Sequence, residues 1–185
     1  LTVSQDLDWI IRFVEELIMT MVEQARVFAT AAHAAVGQVR KYTFEPYIVH
    51  PTEVAGIVAT VPHTDVMVAA AYLHDTVEDT GVTIVDITRE FGHEVAALVS
   101  WLTDVSCPED GNRAVRKARD REHIAMAPAA AQTVKLADLI ANSRSIMAHD
   151  PAFAKIYLEE KRMLLEVLTR GDATLMAQAR SIVGA

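Results

Sequence analysis

The stretch Asp65-Val66-Met67-Val68-Ala69-Ala70-Ala71-Tyr72-Leu73-His74-Asp75-Thr76-Val77-Glu78-Asp79 sets the fold class. After Asp65 its next eight residues, Val66 to Leu73, are mostly small or apolar with no polar face, as expected of a helix buried on all sides. Its last six place one imidazole and three carboxylates at the end of that helix. Read as one helix, residues 65–79 end at Thr80-Gly81, with Gly81 suited to a left-handed C-terminal position. His74 and Glu78 then share a face, as do Asp75 and Asp79. A solvated, acidic helix end is the plain reading of that cluster. The alternative is a bound cation, which would neutralise charge at the edge of a core.

Outward from this segment the pattern stays helical. Amphipathic stretches run over about 4–19 and 22–35, followed by a charged, aromatic loop over 38–50. Pro51 suits a first helical position and opens a helix to about Val61. Thr83 and Asp86 resemble a capping box for a short helix to Phe91, punctuated by Gly92 before a helix over 93–103. A turn-rich link over 107–111 precedes helices at about 112–127, 129–148, 151–168 and 173–182. No segment with a two-residue period supports a strand. The expected fold is a single all-α domain over 1–185, of roughly eight to ten helices.

Composition agrees. Of 185 residues, 51% are hydrophobic but only 6% aromatic, and seven Gly and six Pro are too few for a turn-rich β domain. The 25 acidic residues exceed the 17 Lys and Arg, for a net charge of −8. That balance disfavours a general nucleic-acid binder, whose affinity needs clustered cations. The single cysteine, Cys107, excludes an intrachain disulfide and permits a reducing compartment. No apolar run is long enough to span a bilayer. Asp6, Asp8 and Glu15 make the first residues unlike a signal peptide, so a cytoplasmic location is expected. The exposed faces of the terminal helices leave room for a homo-oligomer.

Two further positions bear on the cation. His50 stands just before Pro51, and Asp138 lies inside Val134-Lys135-Leu136-Ala137-Asp138-Leu139-Ile140, where an unpaired carboxylate would be costly. One metal meeting His50, His74, Asp75 and Asp138 would satisfy all four groups with a mixed nitrogen and oxygen set suited to Mn²⁺, Fe²⁺ or Zn²⁺. Neighbouring residues of a helix point roughly 100° apart, so His74 and Asp75 reach one ion only if it lies between their directions. The remaining histidines (His33, His63, His93, His123 and His149) lack a partner pattern and read as core-edge or surface residues. Nothing demands a second ion.

The order His50, His74-Asp75, Asp138 resembles the HD phosphohydrolase superfamily. More narrowly, Gly37-Gln38-Val39-Arg40-Lys41, Glu45 to Pro51, Ala71 to Thr80 and Val134 to Asp138, continuing to Asn142, are similar to the hydrolase domain of the RelA/SpoT alarmone enzymes. The similarity covers about residues 22–168, which points to a small stand-alone alarmone hydrolase. It implies one divalent metal, usually Mn²⁺, on His50, His74, Asp75 and Asp138, with Glu78 and Asp79 positioning or deprotonating the attacking water. It also implies Arg40 at the base, Lys41 at phosphate and Asn142 at the ribose. Where the family often carries Gly between Lys41 and Pro46, this chain has Tyr42, Thr43, Phe44 and Glu45.

The implied activity is hydrolysis of guanosine 3′-diphosphate alarmones, (p)ppGpp, to GDP or GTP and pyrophosphate. Two other readings stay open. One is an HD-type phosphatase of another nucleotide, such as a dinucleotide 2′-phosphate. The other is a catalytically silent nucleotide-binding module, against which the intact Glu78-Asp79 pair speaks.

Overall fold

A computed structural model describes residues 19–184, so the expected helix over 4–19 lies almost wholly outside the described residues. The helices run in the order α1 (Met21–Ala35), α2 (Val49–Val58), α3 (Asp65–Leu73), α4 (Thr76–Asp79), α5 (Ile84–Leu102), α6 (Arg113–Ala125), α7 (Ala129–His149), α8 (Pro151–Leu165) and α9 (Ala173–Val183). A 3₁₀ turn, Pro108–Asp110, precedes α6. Among the described residues there is no strand, only an isolated bridge between Val39 and Pro46.

Two helices organise the packing. Every residue of α3 from Met67 to Leu73 is buried, and α1, α2, α5 and α7 all pack on it. Its run of Ala69, Ala70 and Ala71 lets those neighbours approach closely. The long α7 buries Ala131 to Val134 and Leu136 to Ala141, and takes α2, α5, α8 and α9 around it. Asp138 thus sits in the middle of a buried helix, held there by apolar neighbours on both sides. Gln132, fully buried on α7, ties the end of α6 and the loop before α9 to it. Its amide donates to the carbonyls of Ile124 and Ala125, and its oxygen accepts from the Arg170 N–H at 2.8 Å.

The sequence reading of 65–79 as one helix is corrected. α3 stops at Leu73, and His74 and Asp75 form a turn before α4 begins at Thr76. Asp75 has φ −95° and ψ −6°, off the helical ladder. The carbonyls released by the break find side chains: His74 Nδ1 donates to the Ala71 oxygen at 2.7 Å, and the Thr76 hydroxyl donates to the Leu73 oxygen at 2.7 Å. A buried break without such partners would be expensive. These residue types make it cheap.

Other differences are small. Pro51 is the third residue of α2, since Val49 and His50 already belong to the helix. The Thr83 capping box is formed, with the Asp86 N–H donating to the Thr83 hydroxyl and the Thr83 N–H to the Asp86 carboxylate. Gly81 does not adopt a positive φ; Thr80, in extended conformation, closes α4 instead. Gly92 has φ 82° and ψ 173°, a region open essentially to Gly alone, and kinks α5 there. Gly92→Ala is therefore expected to lower unfolding free energy by about 1–3 kcal/mol. Gly81→Ala, with open space around its Cβ, should change it little. Chemical denaturation of the two variants checks the contrast.

Candidate metal centre

The break between α3 and α4 answers the geometric objection to His74 and Asp75 sharing an ion. Released from a common helix, the two side chains turn the same way, and His74 Nε2 lies 3.1 Å from Asp75 Oδ2. His50, one residue inside α2, brings its Nε2 to 3.5 Å from the same Asp75 oxygen. From α7, Asp138 Oδ1 approaches His50 Nε2 at 3.2 Å and His74 Nε2 at 3.8 Å. Four side chains from three separate chain segments thus converge. Ligand atoms of His50, His74 and Asp75 all lie within 4.8 Å of one another, an arrangement that can hold a metal ion.

The donor set fits a cation on the chemistry of its own atoms. Both imidazoles are 1% exposed, and Nε2 of each has no hydrogen-bond partner. On His74 the Nδ1 is engaged by the Ala71 carbonyl, which fixes the tautomer with its lone pair at Nε2, facing the carboxylates. Burial opposes a charged His74, but Asp75 and Asp138 outweigh it and hold its pKa well above the ordinary value. Asp75 and Asp138 are held below the usual carboxylate range. Desolvation resists this; His74 overcomes it for Asp75, and Lys135 with the two imidazoles does so for Asp138. With only protons available, an imidazole must become the counter-ion. A divalent cation does the same work with both rings neutral.

Around the cluster lies a supporting shell. The Tyr47 hydroxyl donates to Asp75 Oδ2 at 2.6 Å, and burial together with the Asp75 carboxylate raises its pKa, keeping it a donor. The Asn142 amide donates to Asp138 Oδ1 at 2.6 Å, one turn along α7. Lys135 Nζ lies 3.4 Å from Asp138 Oδ2. Neither Tyr47 nor Lys135 is marked for these roles by its sequence neighbours; a hydroxyl three residues before a histidine carries no recognisable pattern until the chain turns it inward.

Glu78 and Asp79 flank the cluster on α4. Glu78 Oε1 accepts the Asp104 N–H at 2.7 Å. The residue is exposed on its outer side, yet its carboxylate lies at the wall of a cavity. Desolvation and the Asp104 carboxylate raise its pKa to about 7 against the pull of Lys135. Asp79 Oδ2 accepts from Gln38, whose own oxygen accepts from His33 Nδ1 at 2.6 Å. His33, read from sequence as an ordinary residue, is 1% exposed and anchors this relay.

The cavity, about 250 Å³, is lined by Tyr47, Asp75, Glu78, Asp79, Asp138 and Asn142. Its other wall holds residues the sequence did not single out, among them Trp101, Lys117, Arg121, His123 and Lys161. Trp101 and His123 stack at 4.8 Å between ring centroids. Arg40 and Lys41 do not line it. The Arg40 guanidinium lies 5.9 Å from the Tyr47 ring centre, on the approach to the cavity. Lys41, 72% exposed, pairs with Asp150 at 3.8 Å and bonds the Tyr42 hydroxyl, so its loop is docked on the corner between α7 and α8. Within that loop Phe44 has φ 59° and is 76% exposed. A bulky residue thus occupies the left-handed conformation that Gly adopts without cost.

The sequence profile described as an HD domain matches residues 25–164. The chain belongs to the HD domain family. Over 131 residues, 69% of this HD domain chain, it is 37% identical to a probable guanosine-3′,5′-bis(diphosphate) 3′-pyrophosphohydrolase of Synechocystis, of which it spans 17%. Over 88 residues, 48% of the chain, it is 41% identical to a GTP pyrophosphokinase of Myxococcus xanthus, of which it spans 11%. Among solved structures, the HD domain is similar to a metazoan ortholog of SpoT described as hydrolyzing ppGpp. There the TM-score is 0.78 at 26% identity, over 89% of this chain and 94% of that one. A Listeria monocytogenes protein matches with a TM-score of 0.64 at 26% identity, over 77% of this chain and 96% of its own. No described helix of the HD domain is long and apolar enough to cross a membrane.

The Tyr47 bond to Asp75 has a measurable consequence. Partners that orient a metal-binding carboxylate typically contribute 10–100-fold in affinity. Tyr47→Phe is expected to weaken divalent-metal binding by about that factor with little change in fold. Calorimetric titration with Mn²⁺, alongside circular dichroism, checks both halves.

Proposed function

We propose that this HD domain hydrolyses guanosine 3′-diphosphate alarmones, (p)ppGpp, at the ribose 3′ oxygen, giving GDP or GTP and intact pyrophosphate. The observation that carries the reading is the pairing of a His50–His74–Asp75–Asp138 cluster with Glu78, a carboxylate poised near neutrality on the same cavity. The relatives named for alarmone chemistry support the choice of substrate.

His50, His74, Asp75 and Asp138 are the residues that would hold the divalent ion, and their mixed nitrogen and oxygen set suits Mn²⁺. When bound, such an ion supplies Lewis-acid polarisation of a phosphoryl oxygen and makes water easier to deprotonate. Glu78 acts as the base: one oxygen is anchored by the Asp104 N–H, leaving the other to accept a proton from the attacking water. Asp79, restrained by Gln38 and His33, orients that water. Asn142 commits its amide to Asp138 and retains its oxygen for a ribose hydroxyl. Arg40 stacks on the guanine at the cavity approach. Lys41 exchanges Asp150 for a phosphate, which its exposure permits. With a soluble nucleotide as substrate, the reaction belongs to the cytoplasm.

Glu78 must be deprotonated to accept a proton, so activity is lost as pH falls through its pKa. The acid limb of kcat/KM should have its midpoint at about 7, above the ordinary carboxylate value of 4.5. Glu78→Gln should lower kcat by roughly 10²–10⁴-fold while metal content stays unchanged. Turnover of guanosine tetraphosphate with Mn²⁺, resolved by ion exchange, also identifies the bond cut. Pyrophosphate at early times is expected; orthophosphate released stepwise would instead favour a phosphatase of another nucleotide.

A further inference from the structure

The cavity beside the metal cluster holds four cationic side chains, and their pairing is uneven. Lys135 is matched by Asp138 at 3.4 Å, and Lys117 by Asp104 at 2.7 Å and Asp120 at 3.5 Å. Lys161 on α8 and Arg121 on α6 line the same cavity and have no carboxylate partner among the described residues. Neither helix contributes to the His–Asp cluster. Lys161 is only partly exposed, and its ammonium lies 4.7 Å from the centre of the Tyr157 ring, one turn earlier on α8. That ring favours a cation but carries no negative charge to neutralise it. The carboxylate beside it in sequence, Glu160, is taken by Arg113 in a two-pronged bond at 2.7 and 2.8 Å.

A desolvated ammonium without a counter-ion is costly to keep. Burial and the neighbouring Lys135 ammonium bring the Lys161 pKa down to about 8, so the site still carries charge near neutrality while lacking an anion. The carboxylates that act on Lys161 from a distance, Asp138 and Asp104, are already paired with Lys135 and Lys117. Asp120 accepts from the Val105 and Ser106 N–H groups and the Ser106 hydroxyl, bracing the loop after α5. The anion that completes Lys161 and Arg121 must therefore come from outside the protein.

We infer that Lys161, with Arg121 beside it in the cavity wall, forms an anion subsite for phosphate groups beyond the scissile bond of the substrate. This deepens the alarmone reading and rests on it for the identity of the nucleotide. The cations singled out in the sequence, Arg40 and Lys41, stand outside the cavity, whereas these two face its interior. Two sources of the same chemistry are available on guanosine 3′,5′-bis(diphosphate): the outer phosphate of the 3′ arm and the diphosphate of the 5′ arm.

Lys161→Met keeps the stem and removes the charge, and Lys161→Arg restores it. On guanosine 3′,5′-bis(diphosphate), Lys161→Met should raise KM about 10- to 100-fold, the usual worth of a charge-assisted contact, with kcat and metal content nearly unchanged. Arginine should recover most of the loss, and Arg121→Gln should shift KM in the same direction. Guanosine 3′-diphosphate, which lacks the 5′ phosphates, separates the sources. A KM effect that vanishes on it assigns Lys161 to the 5′ arm, and an undiminished effect assigns it to the 3′ arm. An unchanged KM, or a loss confined to kcat, overturns the subsite. Should the wild-type protein leave both nucleotides intact, the alarmone reading fails separately. Calorimetric titration of the metal-loaded proteins with inorganic pyrophosphate then decides. Weaker binding by Lys161→Met than by wild type supports the subsite, and equal or absent binding by both overturns it.

Discussion

Two carboxylates, Asp75 and Asp138, reach into the space where α2, α3 and α7 meet, and the local structure is arranged around their charge. Isolated carboxylates at such depth would protonate or force the helices apart. Here each is surrounded by groups that prefer it ionised. Tyr47 and the two imidazoles serve Asp75; Asn142, Lys135 and the same imidazoles serve Asp138. The imidazoles are themselves held by packing, with His74 locked through its Nδ1. Each of these groups is thus held in place by protein contacts of its own. That is the condition for a tight and specific metal site.

The same constraint shapes the backbone. An uninterrupted helix over 65–79 would splay His74 and Asp75, and the cluster would lose a member. The interruption lies at the one place where side-chain hydroxyl and imidazole groups can take the abandoned carbonyls. It also gives Glu78 and Asp79 a short helix of their own, so they approach the cavity from a direction that α3 does not offer. One local break therefore sets both the candidate metal cluster and the direction from which Glu78 and Asp79 face the cavity.

Charge is partitioned across the cavity with similar economy. Acidic groups concentrate where a cation would sit, whereas α6 and α8 bring Lys117, Arg121 and Lys161 to the far wall, with Asp120 and Glu160 engaged by backbone N–H groups and Arg113. A protein with a net charge of −8 repels anionic nucleotides at long range, and only local fields can hold one. The loop over residues 40–45 adds a second tier. It is pinned to the corner between α7 and α8 through Tyr42, His149 and Asp150, and exposes Phe44 in a left-handed conformation. Phe44 is not among the residues that line the cavity.

Sequence alone determined the helical class, the boundaries of most helices to within a few residues, and the identity of the clustered histidines and carboxylates. Each is a local property: periodicity, capping chemistry, or a charged residue inside an apolar run, as with Asp138. What it missed depends on side chains meeting across long separations. The helix break at His74-Asp75 is invisible to periodicity because the residues on either side of it both suit a helix; only the shared approach to His50 and Asp138 shows why it exists. Tyr47, 28 residues from Asp75, and His33, relayed through Gln38 to Asp79 some 41 residues on, have no signature in spacing. Lys161 and Arg121 carry no mark in the sequence, because a helical wheel cannot tell solvent from a cavity wall. Their position was decided by the packing of α6 and α8 over the cluster, an outcome of tertiary burial and not of local sequence.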